Sequence, residues 1–501
     1  MKMKKKLLLF VFSMLLLTGK ATDYYWNPDF MAGNINWTDL NNWYTTSGGT
    51  INPSVLPGPA DDIYIDSNSS YPVMAIDDTA TCRSVYIGNF LTGIPEINDM
   101  GFYGLHVYGS FYGHDSLSIN TNIFFASGVP GNQIDLNAPY FQLSSPLLNL
   151  SVSFVGAGEW TLIDDLVANV VSVENGTFKS NDKLITVRNF LIQGNVNRTV
   201  LLGQSTIEVF DVGSGFLVYG SNYSIDADSA DIILTVGDNI ILAFAGGTGQ
   251  HYHYVEMDTL APVAGISGTN CEIDHLVCYG SIQDLTMTGV VHKGEFFGGA
   301  SISNPGTGSS AFLHYDTLIL DNTVPGGLGP NNSYFIDADS LFVNDVIIVN
   351  SGLADTISIT SVTPNMLVLP SDTICLDYIK LQNSNALGSG YYFAGNNSVD
   401  LGSNSGWTFT NCVFGSVGVT SFENEDIKIF PNPASSILTI ESEKKIRSCK
   451  LYTITGQIVH PEINANSEEQ LFVGLGNLQN GLYMIELITD NGIIRKKITK
   501  Q

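Results

Sequence analysis

The sequence predicts an all-β protein in which a right-handed parallel β-helix is followed by a small C-terminal β-sandwich. Between residues 63 and 409, short runs of alternating apolar residues are separated by Gly, Asn, Asp and Ser, which is the pattern of strands joined by turns. Nowhere in this region does an apolar period of 3.6 residues persist over three turns, as a surface helix requires. Near residue 427 the charge changes sign, which indicates a boundary between two domains.

The first 21 residues have the features of a signal peptide. MKMKKK is followed by residues 7–17, which are apolar except for Ser13, and then by small residues. This segment is shorter than the roughly 20 apolar residues of a membrane span. We therefore expect cleavage after Ala21 and no transmembrane span in the mature chain.

The charge of the chain is strongly acidic and unevenly distributed. Its 501 residues include 21 basic and 48 acidic side chains, for a formal charge of −27. Residues 22–426 contain only 7 of the basic side chains and 41 of the acidic ones, so this region has a net charge of −34. A surface this acidic repels phosphate backbones and anionic lipids. The charge therefore argues against nucleic acid as a partner.

Internal repetition favours a solenoid among the all-β folds. Residues 223–229 (YSIDADS) return almost unchanged as residues 334–340 (YFIDADS). Irregular coils of roughly 20 to 25 residues suit a β-helix, in which each coil buries its inward side chains on the next. Stacked β-sandwiches remain the alternative. The mature chain is predicted to contain an N-terminal Trp-rich capping module (22–66), a β-helix-like passenger (67–412), a linker (413–426) and a C-terminal domain (427–501).

Several motifs of the passenger occur in a recognisable order. Trp26, Trp37 and Trp43 are followed by PGPADDIYI at residues 57–65. Later motifs are GEWTL (158–162), GTF (176–178), RTVLLGQSTI (198–207) and YYFAGNNSVDLGSNSGW (391–407). Together they resemble the first module, successive coils and closing segment of large secreted β-helix proteins of Gram-negative bacteria. Those proteins are described as uncharacterised or adhesin-like, so the resemblance implies an architecture more than an activity.

The last 75 residues predict a separate β-sandwich. Pro431 and Pro433 must lie outside a central ladder, because neither can donate a backbone hydrogen bond. The predicted strands are 427–430, 436–441, 446–454, 470–475, 482–488 and 493–499.

Four motifs of this segment carry a specific resemblance. IKIFPNPASSILTI (427–440), LYTITGQIV (451–459), NGLYMI (480–485) and RKKI (495–498) follow one another. In order and spacing they resemble the type A C-terminal sorting domain of the type IX secretion system. The resemblance implies the outer-membrane translocon as a partner, and a chain that crosses the periplasm and is then released or attached to the outer cell surface. The family's signature positions correspond here to Pro431, Asn432, Pro433, Gly456, Gly481, Tyr483 and Lys497.

Candidate catalytic residues in the passenger are few. An inverting glycosidase needs two carboxyl groups about 6.5 to 9.5 Å apart. Asp164 and Asp165, after Glu159, form the best local cluster, but neighbours on a strand point to opposite faces. A lyase acting on uronates needs Arg or Lys near the substrate carboxylate. The only such side chains in the passenger are Arg83, Lys179, Lys183, Arg188, Arg198, Lys293 and Lys380.

Metal binding has equally weak support. Asp226 with Asp228, and Asp337 with Asp339, share a face of a strand and could bind calcium. Asp side chains also hydrogen-bond nearby backbone N–H groups in turns, and this interpretation is preferred. We therefore expect no required cofactor, with calcium as the open alternative.

The histidines and cysteines give no complete site. His251 and His253 lie on one side of a strand and make half a zinc site at best, so a surface stripe of His and Tyr is the simpler interpretation. Of the six cysteines, Cys375 and Cys412 are the pair to test for a disulfide. Buried free thiols are the expectation for the remainder.

Aromatic residues are the remaining clue to function. They make up 11% of the chain, and clusters such as Phe111 with Tyr112, or Tyr252 with Tyr254, would offer platforms for sugar rings if exposed. Packing in the core is the more common role. A row of exposed Tyr on one face would favour glycan binding. The sequence thus predicts a secreted or surface-displayed, non-catalytic solenoid for adhesion to a neutral glycan or surface protein, with a polysaccharide-degrading β-helix enzyme as the alternative.

Overall fold

The computed structural model describes most of the chain. The chain folds into two compact units, Met1–Cys412 and Val413–Gln501. Among the described residues, no helix is long and apolar enough to cross a membrane. The described residues are 21–501 without 30–32, 89–93, 102, 137–149, 212, 236–240, 245–249, 258–264, 281, 299, 304–312, 322–332, 338–339, 352–355, 370–372, 413–426, 443–444, 454–457, 460, 468–469 and 490–491.

The first unit is a parallel β-solenoid of about 11 turns. The predicted solenoid is therefore confirmed, and stacked sandwiches are excluded. A single 3-10 turn, Leu40–Asn42, interrupts the described strands. The strands are β1 (Asp23–Trp26), β2 (Trp43–Tyr44), β3 (Asp62–Ile65), β4 (Val73–Ile76), β5 (Ala80–Cys82), β6 (Val85–Ile87), β7 (Glu96–Asp99), β8 (Leu105–Val107), β9 (Phe111–Tyr112), β10 (Ser118–Asn120), β11 (Asn122–Phe125), β12 (Asn132–Asp135), β13 (Ser151–Phe154), β14 (Glu159–Leu162), β15 (Leu166–Val173), β16 (Gly176–Lys179), β17 (Ile185–Ile192), β18 (Arg198–Leu201), β19 (Thr206–Val209), β20 (Gly215–Val218), β21 (Tyr223–Leu234), β22 (Ile241–Phe244), β23 (Gln250–Met257), β24 (Gly265–Cys278), β25 (Ile282–Phe296), β26 (Ala300–Ser303), β27 (Leu313–Asp321), β28 (Ser333–Asp337), β29 (Ser340–Asn350), β30 (Ile357–Val368), β31 (Ile374–Cys375), β32 (Ile379–Leu387), β33 (Tyr392–Phe393), β34 (Val399–Asp400) and β35 (Trp407–Thr408).

Each coil contributes strands to separate parallel faces. One face begins with β1, β3, β6, β9 and β12 in succession. A second face contains β5, β8, β11 and β13, and a third begins with β4, β7 and β10. Long strands bend at a corner, since β17 pairs with β19 through its first half and with β20 through its second. This regular pairing aligns side chains of successive coils in columns along the solenoid.

The inward columns form one continuous apolar core. Alternate residues of each strand are buried, as in β14, where Trp160 and Leu162 are inside. Neighbouring aromatic rings of this core have centroids 4.7 to 6.2 Å apart. Such contacts add roughly 0.5 to 1.5 kcal/mol per pair beyond the burial of area. These aromatic rings form one column along the core, which consists of Phe125, Phe154, Phe178, Phe190 and Phe216.

Three tryptophans close the N-terminal end of this core. Trp26, Trp37 and Trp43 are essentially fully buried, and the ring of Trp43 lies 4.9 Å from each of the other two. The indole N–H of Trp26 donates to Val73 O (3.0 Å) and that of Trp43 to Trp37 O (2.9 Å). Strand β2 pairs antiparallel with β1, so it covers the edge that the first coil would otherwise expose.

Tight approach between coils requires glycine at particular positions. Gly289 in β25 has φ +125°, and a Cβ atom there would lie 1.9 Å from the carbonyl oxygen of Cys271 in the neighbouring coil. L-residues rarely adopt this conformation. Gly289 therefore allows the backbone of β25 to pack directly against β24.

The second unit consists of two antiparallel four-stranded sheets. One sheet consists of β36 (Ile427–Phe430), β37 (Ile437–Ser442), β41 (Gln470–Gly474) and β40 (Glu462–Ser467). The other consists of β39 (Ile458–Val459), β38 (Ile446–Thr453), β42 (Gly481–Thr489) and β43 (Gly492–Lys500). Both bury apolar residues in a common core that includes Leu438, Val473 and Ile485. The short strands β39 and β40 were not predicted from the sequence.

Candidate functional site

The signature residues of the C-terminal unit meet at one end of strand β43. The side chain of Asn432 donates to Lys497 O (3.0 Å) and accepts from the backbone N–H of Thr499 (2.9 Å). The backbone N–H of Ala434 donates to Thr499 O, and the backbone N–H of Gln501 donates to Ala434 O, both at 2.9 Å. The turn formed by Pro431, Asn432 and Pro433 is therefore attached to the last strand of the chain.

The other signature residues lie on the second sheet or outside the described residues. Tyr483 is buried, and its hydroxyl donates to Gln479 O (2.8 Å). Gly481 pairs with Lys500, whose ammonium donates to Asn480 Oδ1 at 3.2 Å. The Lys497 side chain is exposed. Gly456 lies outside the described residues, as does the proposed linker at 413–426.

A row of five tyrosines runs along the outside of the first coils. Strand pairing places them in register, in the order Tyr44, Tyr25, Tyr64, Tyr86 and Tyr112. All five side chains are half-buried, and their immediate neighbours Tyr24, Ile63 and Val85 point into the core. The rings from Tyr25 to Tyr112 are stacked, with successive centroids 4.9, 4.9 and 5.2 Å apart and interplanar angles of 16°, 11° and 19°. We call these five residues the tyrosine row.

The tyrosine row is flanked by acidic side chains. Burial, together with the charges of Asp23 and Asp62, raises the pKa of Tyr64 to about 12. Burial and the charges of Asp23 and Asp66 also raise the pKa of Tyr25. These phenols therefore remain neutral hydrogen-bond donors across the physiological pH range.

Hydrogen bonding leaves part of the row available. The Tyr112 hydroxyl donates to Gln133 Oε1 at 3.0 Å. Within the described part of the chain, the hydroxyls of Tyr25 and Tyr64 have no hydrogen-bond partner.

The aromatic clusters proposed as sugar platforms are only partly exposed. Tyr252 and Phe111 are fully buried, so these two residues pack in the core, the preferred interpretation, and offer no platform for a sugar. The reason is strand alternation, which turns Phe111 inward and Tyr112 outward. Tyr254 is half-buried, and its hydroxyl donates to Glu256 Oε2 at 2.5 Å.

Two histidines connect carboxylates of successive coils further along the solenoid. His251 contacts Asp228 (3.1 Å) through Nδ1 and Asp274 (2.8 Å) through Nε2. His292 repeats this arrangement with Asp316 (2.5 Å) and Glu272 (3.0 Å). In each case one carboxylate belongs to the preceding coil and the other to the following one. We call these six residues the histidine–carboxylate ladder.

The carboxylates of the ladder favour protonated imidazoles. The hydrogen bonds that protonated His292 donates to Glu272 and Asp316 raise the pKa of His292. Burial acts to lower the pKa of His251, but its hydrogen bond with Asp274 and the nearby acidic charges outweigh this effect and raise it. Beside the ladder, His275, whose Nε2 lies 3.6 Å from Glu295, and the ion-paired Lys293 lower the pKa of Glu295 to about 2.

His253 does not join His251 in a zinc site. Its ring contacts Asp231 at 3.2 Å, whereas His251 contacts Asp228 and Asp274. Among the residues that the structure describes, no group of three or more His, Cys, Asp or Glu side chains is arranged to hold a metal ion.

The carboxylates considered for catalysis or calcium are engaged locally. Asp164 Oδ1 accepts from the N–H of Asp165, and Asp165 Oδ1 from the N–H of Leu184. Asp164 therefore bonds within its own bend, whereas Asp165 bonds the backbone of the next coil. Asp226 and Asp228 are exposed on the same face, but Asp228 contacts His251.

The repeated carboxylate pair is only partly described. Asp339 lies outside the described residues, and of Asp337 only the backbone, in β28, is described. The proposed calcium pair thus cannot be assembled from the described residues.

Most basic side chains of the solenoid are also engaged. Lys179 binds Glu159 (2.8 Å) and Arg188 binds Asp211 (2.6 Å) across neighbouring coils. The buried Arg198 donates to the backbone oxygens of Val196, Tyr219 and Ser221 at 2.6 to 3.0 Å. Further ion pairs are Arg83 with Asp62 and Lys293 with Glu295.

The cysteines have structural positions. Cys375 and Cys412 form a disulfide, with Cα atoms 5.4 Å apart, that connects β31 to the end of the first unit. Cys82, Cys271 and Cys278 are buried thiols. Burial raises the pKa of Cys271 to about 12, so this thiol is unreactive at neutral pH.

The tyrosine row and the ladder were missed in the sequence because both depend on the pairing of coils. Two of the tyrosines had a visible signal. Ile63-Tyr-Ile65 and Val85-Tyr-Ile87 are nearly the same strand, and aligning them places Tyr64 beside Tyr86. The ladder has no such signal, because its contacts span 20 to 24 residues in coils of unequal length.

Comparison with known proteins assigns the second unit. Residues 428–501 match a family model described as Secretion system C-terminal sorting domain. No curated protein and no solved structure matches the chain. The match covers the two antiparallel sheets and does not extend to the solenoid. The protein is therefore a β-solenoid whose C-terminal unit is a type IX secretion sorting domain, which indicates secretion and attachment to the cell surface.

Proposed function

We propose that the solenoid is a non-catalytic contact module, which adheres to a neutral glycan or surface protein once the sorting domain has delivered it. In this proposal the leader directs the chain into the periplasm and cleavage follows Ala21. Residues 427–501 then engage the outer-membrane translocon. The solenoid is finally released or retained on the outer surface.

The tyrosine row is the observation that carries this proposal. It places aromatic and hydroxyl groups in a regular line on the outside of a rigid β-sheet face. Tyrosine is favoured at binding surfaces because it offers a large contact area with few rotatable bonds. The acidic surroundings favour a neutral partner over an anionic one.

A polysaccharide-degrading enzyme is the second candidate, and the histidine–carboxylate ladder is the observation that favours it. Carboxylates of neighbouring coils do converge there. However, His292 lies between Glu272 and Asp316 and contacts both, whereas a glycosidase needs two carboxyl groups separated by substrate and water. The ion pairs of Lys179 and Arg188 likewise reduce the cations available to a lyase. These contacts favour the non-catalytic contact module over the enzyme.

One experiment separates the two candidates. The secreted protein is applied to a glycan array with and without calcium, and the same polysaccharides are assayed for release of reducing sugars and of unsaturated products. We expect binding without product. Product formation that depends on Glu272 or Asp316 would establish the enzyme instead.

A further inference from the structure

We infer that the tyrosine row is itself the contact surface, and that its partner is an extended neutral glycan lying parallel to the solenoid axis. This inference rests on the proposed function and adds to it a location, a ligand class and an orientation. The stacking geometry, the order of the row and its charge environment support it.

The stacking geometry determines which part of each ring meets a ligand. Rings nearly parallel at 4.9 to 5.2 Å cover one another's faces. What remains towards solvent is a line of ring edges and hydroxyl groups. Aromatic side chains usually bind a sugar by stacking a ring face against it, and between the stacked rings of the row these faces are covered. Hydrogen bonding by the phenols becomes the main way in which this surface can recognise a sugar.

The spacing of the row suits a linear polymer. Successive tyrosines belong to neighbouring strands, which are separated by about 4.7 to 4.9 Å. An extended glycan repeats its hydroxyl groups at intervals close to the length of one pyranose ring. Successive sugars can therefore meet successive phenols if the polymer runs perpendicular to the strands. The row ends at Asp135, which occupies the position after Tyr112, so the predicted contact spans five strands.

The row is also held in place before a ligand arrives. The four rings from Tyr25 to Tyr112 are confined by stacking and by the strand register, so little of their side-chain freedom is lost on binding. Beside it, Asp66 accepts hydrogen bonds from Ser47 Oγ (2.6 Å) and from the backbone N–H of Asn68 (2.9 Å). Those contacts fix a carboxylate near Tyr25.

The charge of these surroundings selects among glycans. Asp23 and Asp66 lie close enough to Tyr25 to raise the pKa of its phenol. Such carboxylates accept hydrogen bonds from sugar hydroxyls but repel uronates and sulfated sugars. The surface thus fits a neutral polymer.

Replacement of Tyr by Phe tests the inference without removing the stack. In the Tyr25→Phe/Tyr64→Phe protein the rings remain, and the two hydroxyls without a hydrogen-bond partner in the described part of the chain disappear. Tyr219→Phe is the matched control, since this side chain is 44% exposed and lies outside the row. Full-length protein is run in affinity gels that contain a neutral polymer, namely hydroxyethyl cellulose, glucomannan or dextran. A gel that contains polygalacturonate tests binding to an anionic polymer. Thermal unfolding of each variant verifies that the fold is unchanged.

We expect wild type and Tyr219→Phe to be retarded equally by at least one neutral polymer and not by polygalacturonate. The double variant should bind that polymer about tenfold or more weakly, as expected for two lost hydrogen bonds. Equal retardation of all three proteins would overturn the inference and leave the proposed function standing. Preference for polygalacturonate would also overturn it. If wild type binds no neutral polymer and adheres to no protein-coated surface, the proposed function fails as well.

Discussion

Replacing His292 by Gln should destabilise the solenoid at mildly acidic pH and have little effect at alkaline pH. The imidazole lies between Glu272 of β24 and Asp316 of β27, with contacts of 3.0 and 2.5 Å. Lys293 is adjacent in β25, and Asn344 of β29 donates to Asp316 at 2.9 Å. When the ring is protonated, both nitrogens donate to carboxylates of neighbouring coils. Gln can replace only part of this bonding and has no charge.

The magnitude follows from the exposure of these groups. The side chains of His292 and Glu272 are 42% and 52% exposed, so solvent screens their attraction. Exposed ion pairs contribute about 0.2 to 1 kcal/mol each. Two such pairs give a loss of about 1 kcal/mol for His292→Gln at low salt. This loss corresponds to roughly a fivefold change in a local opening equilibrium.

The sign of the pH dependence follows from the direction of the pKa shift. The two carboxylates raise the pKa of His292 above its ordinary value of 6.5. The stabilisation is therefore complete below pH 6.5 and is lost as the pH rises through the folded-state pKa. Burial acts to raise the pKa of Asp316, but hydrogen bonds from Asn344 and His292 outweigh it and lower the pKa below 3.8. The stabilisation by ionised Asp316 is accordingly lost only in acid. The difference in stability between wild type and His292→Gln should therefore be largest near pH 5 to 6.

Hydrogen exchange measured by mass spectrometry is the appropriate assay, because a solenoid need not unfold in one step. Peptides from β24, β25 and β27 should exchange faster in His292→Gln at pH 5.5 and at nearly the wild-type rate at pH 8.5, after correction for intrinsic exchange. His106→Gln is the control of opposite sign, since burial lowers the pKa of His106. A difference that is constant with pH, or that grows towards pH 8.5, would refute the role assigned to the ladder.

Three further predictions concern the coil contact, the disulfide and the sorting domain. Gly289→Ala should lower the free energy of unfolding by several kcal/mol in a calorimetric scan, because the new Cβ atom would overlap Cys271 O. Gly128→Ala is the control: no atom lies within 4 Å of its added Cβ, so its unfolding free energy should change far less. Cys375 and Cys412 are 37 residues apart in the sequence, and reduction of their disulfide should destabilise the last coils by about 2 to 4 kcal/mol. Amide hydrogen exchange in β31 and β33 should then become faster, and an unchanged exchange rate there would contradict this prediction. Deletion of residues 427–501 should leave the solenoid in the periplasm by cell fractionation; normal surface display of the truncated chain would refute the sorting role.

The sequence was sufficient to predict features that depend on local pattern. Alternation gave the strands around Ile63 and Val85, and the motif at Pro431 and Pro433 gave the sorting domain at residues 428–501. Both signals lie within a single strand or a contiguous motif. The sequence left open whether Tyr252 and Tyr254 are exposed, and the register of strand β23 with β21 shifts between these two residues. Which face a side chain occupies after such a shift depends on the neighbouring coils, and no local pattern encodes this.

The contacts between coils also explain how the solenoid tolerates its excess of acid. In a parallel sheet, like charges at the same position of adjacent strands lie close together and repel. Here basic groups pair with carboxylates of neighbouring coils, as Lys179 does with Glu159 and Arg188 with Asp211. His251 lies between two carboxylates, Asp228 and Asp274. These basic groups therefore stabilise stacking of coils and are not free to bind an anionic ligand. The outer surface around Tyr64 keeps neutral hydroxyl groups next to carboxylates, which is why a neutral polymer is the partner that this charge distribution favours.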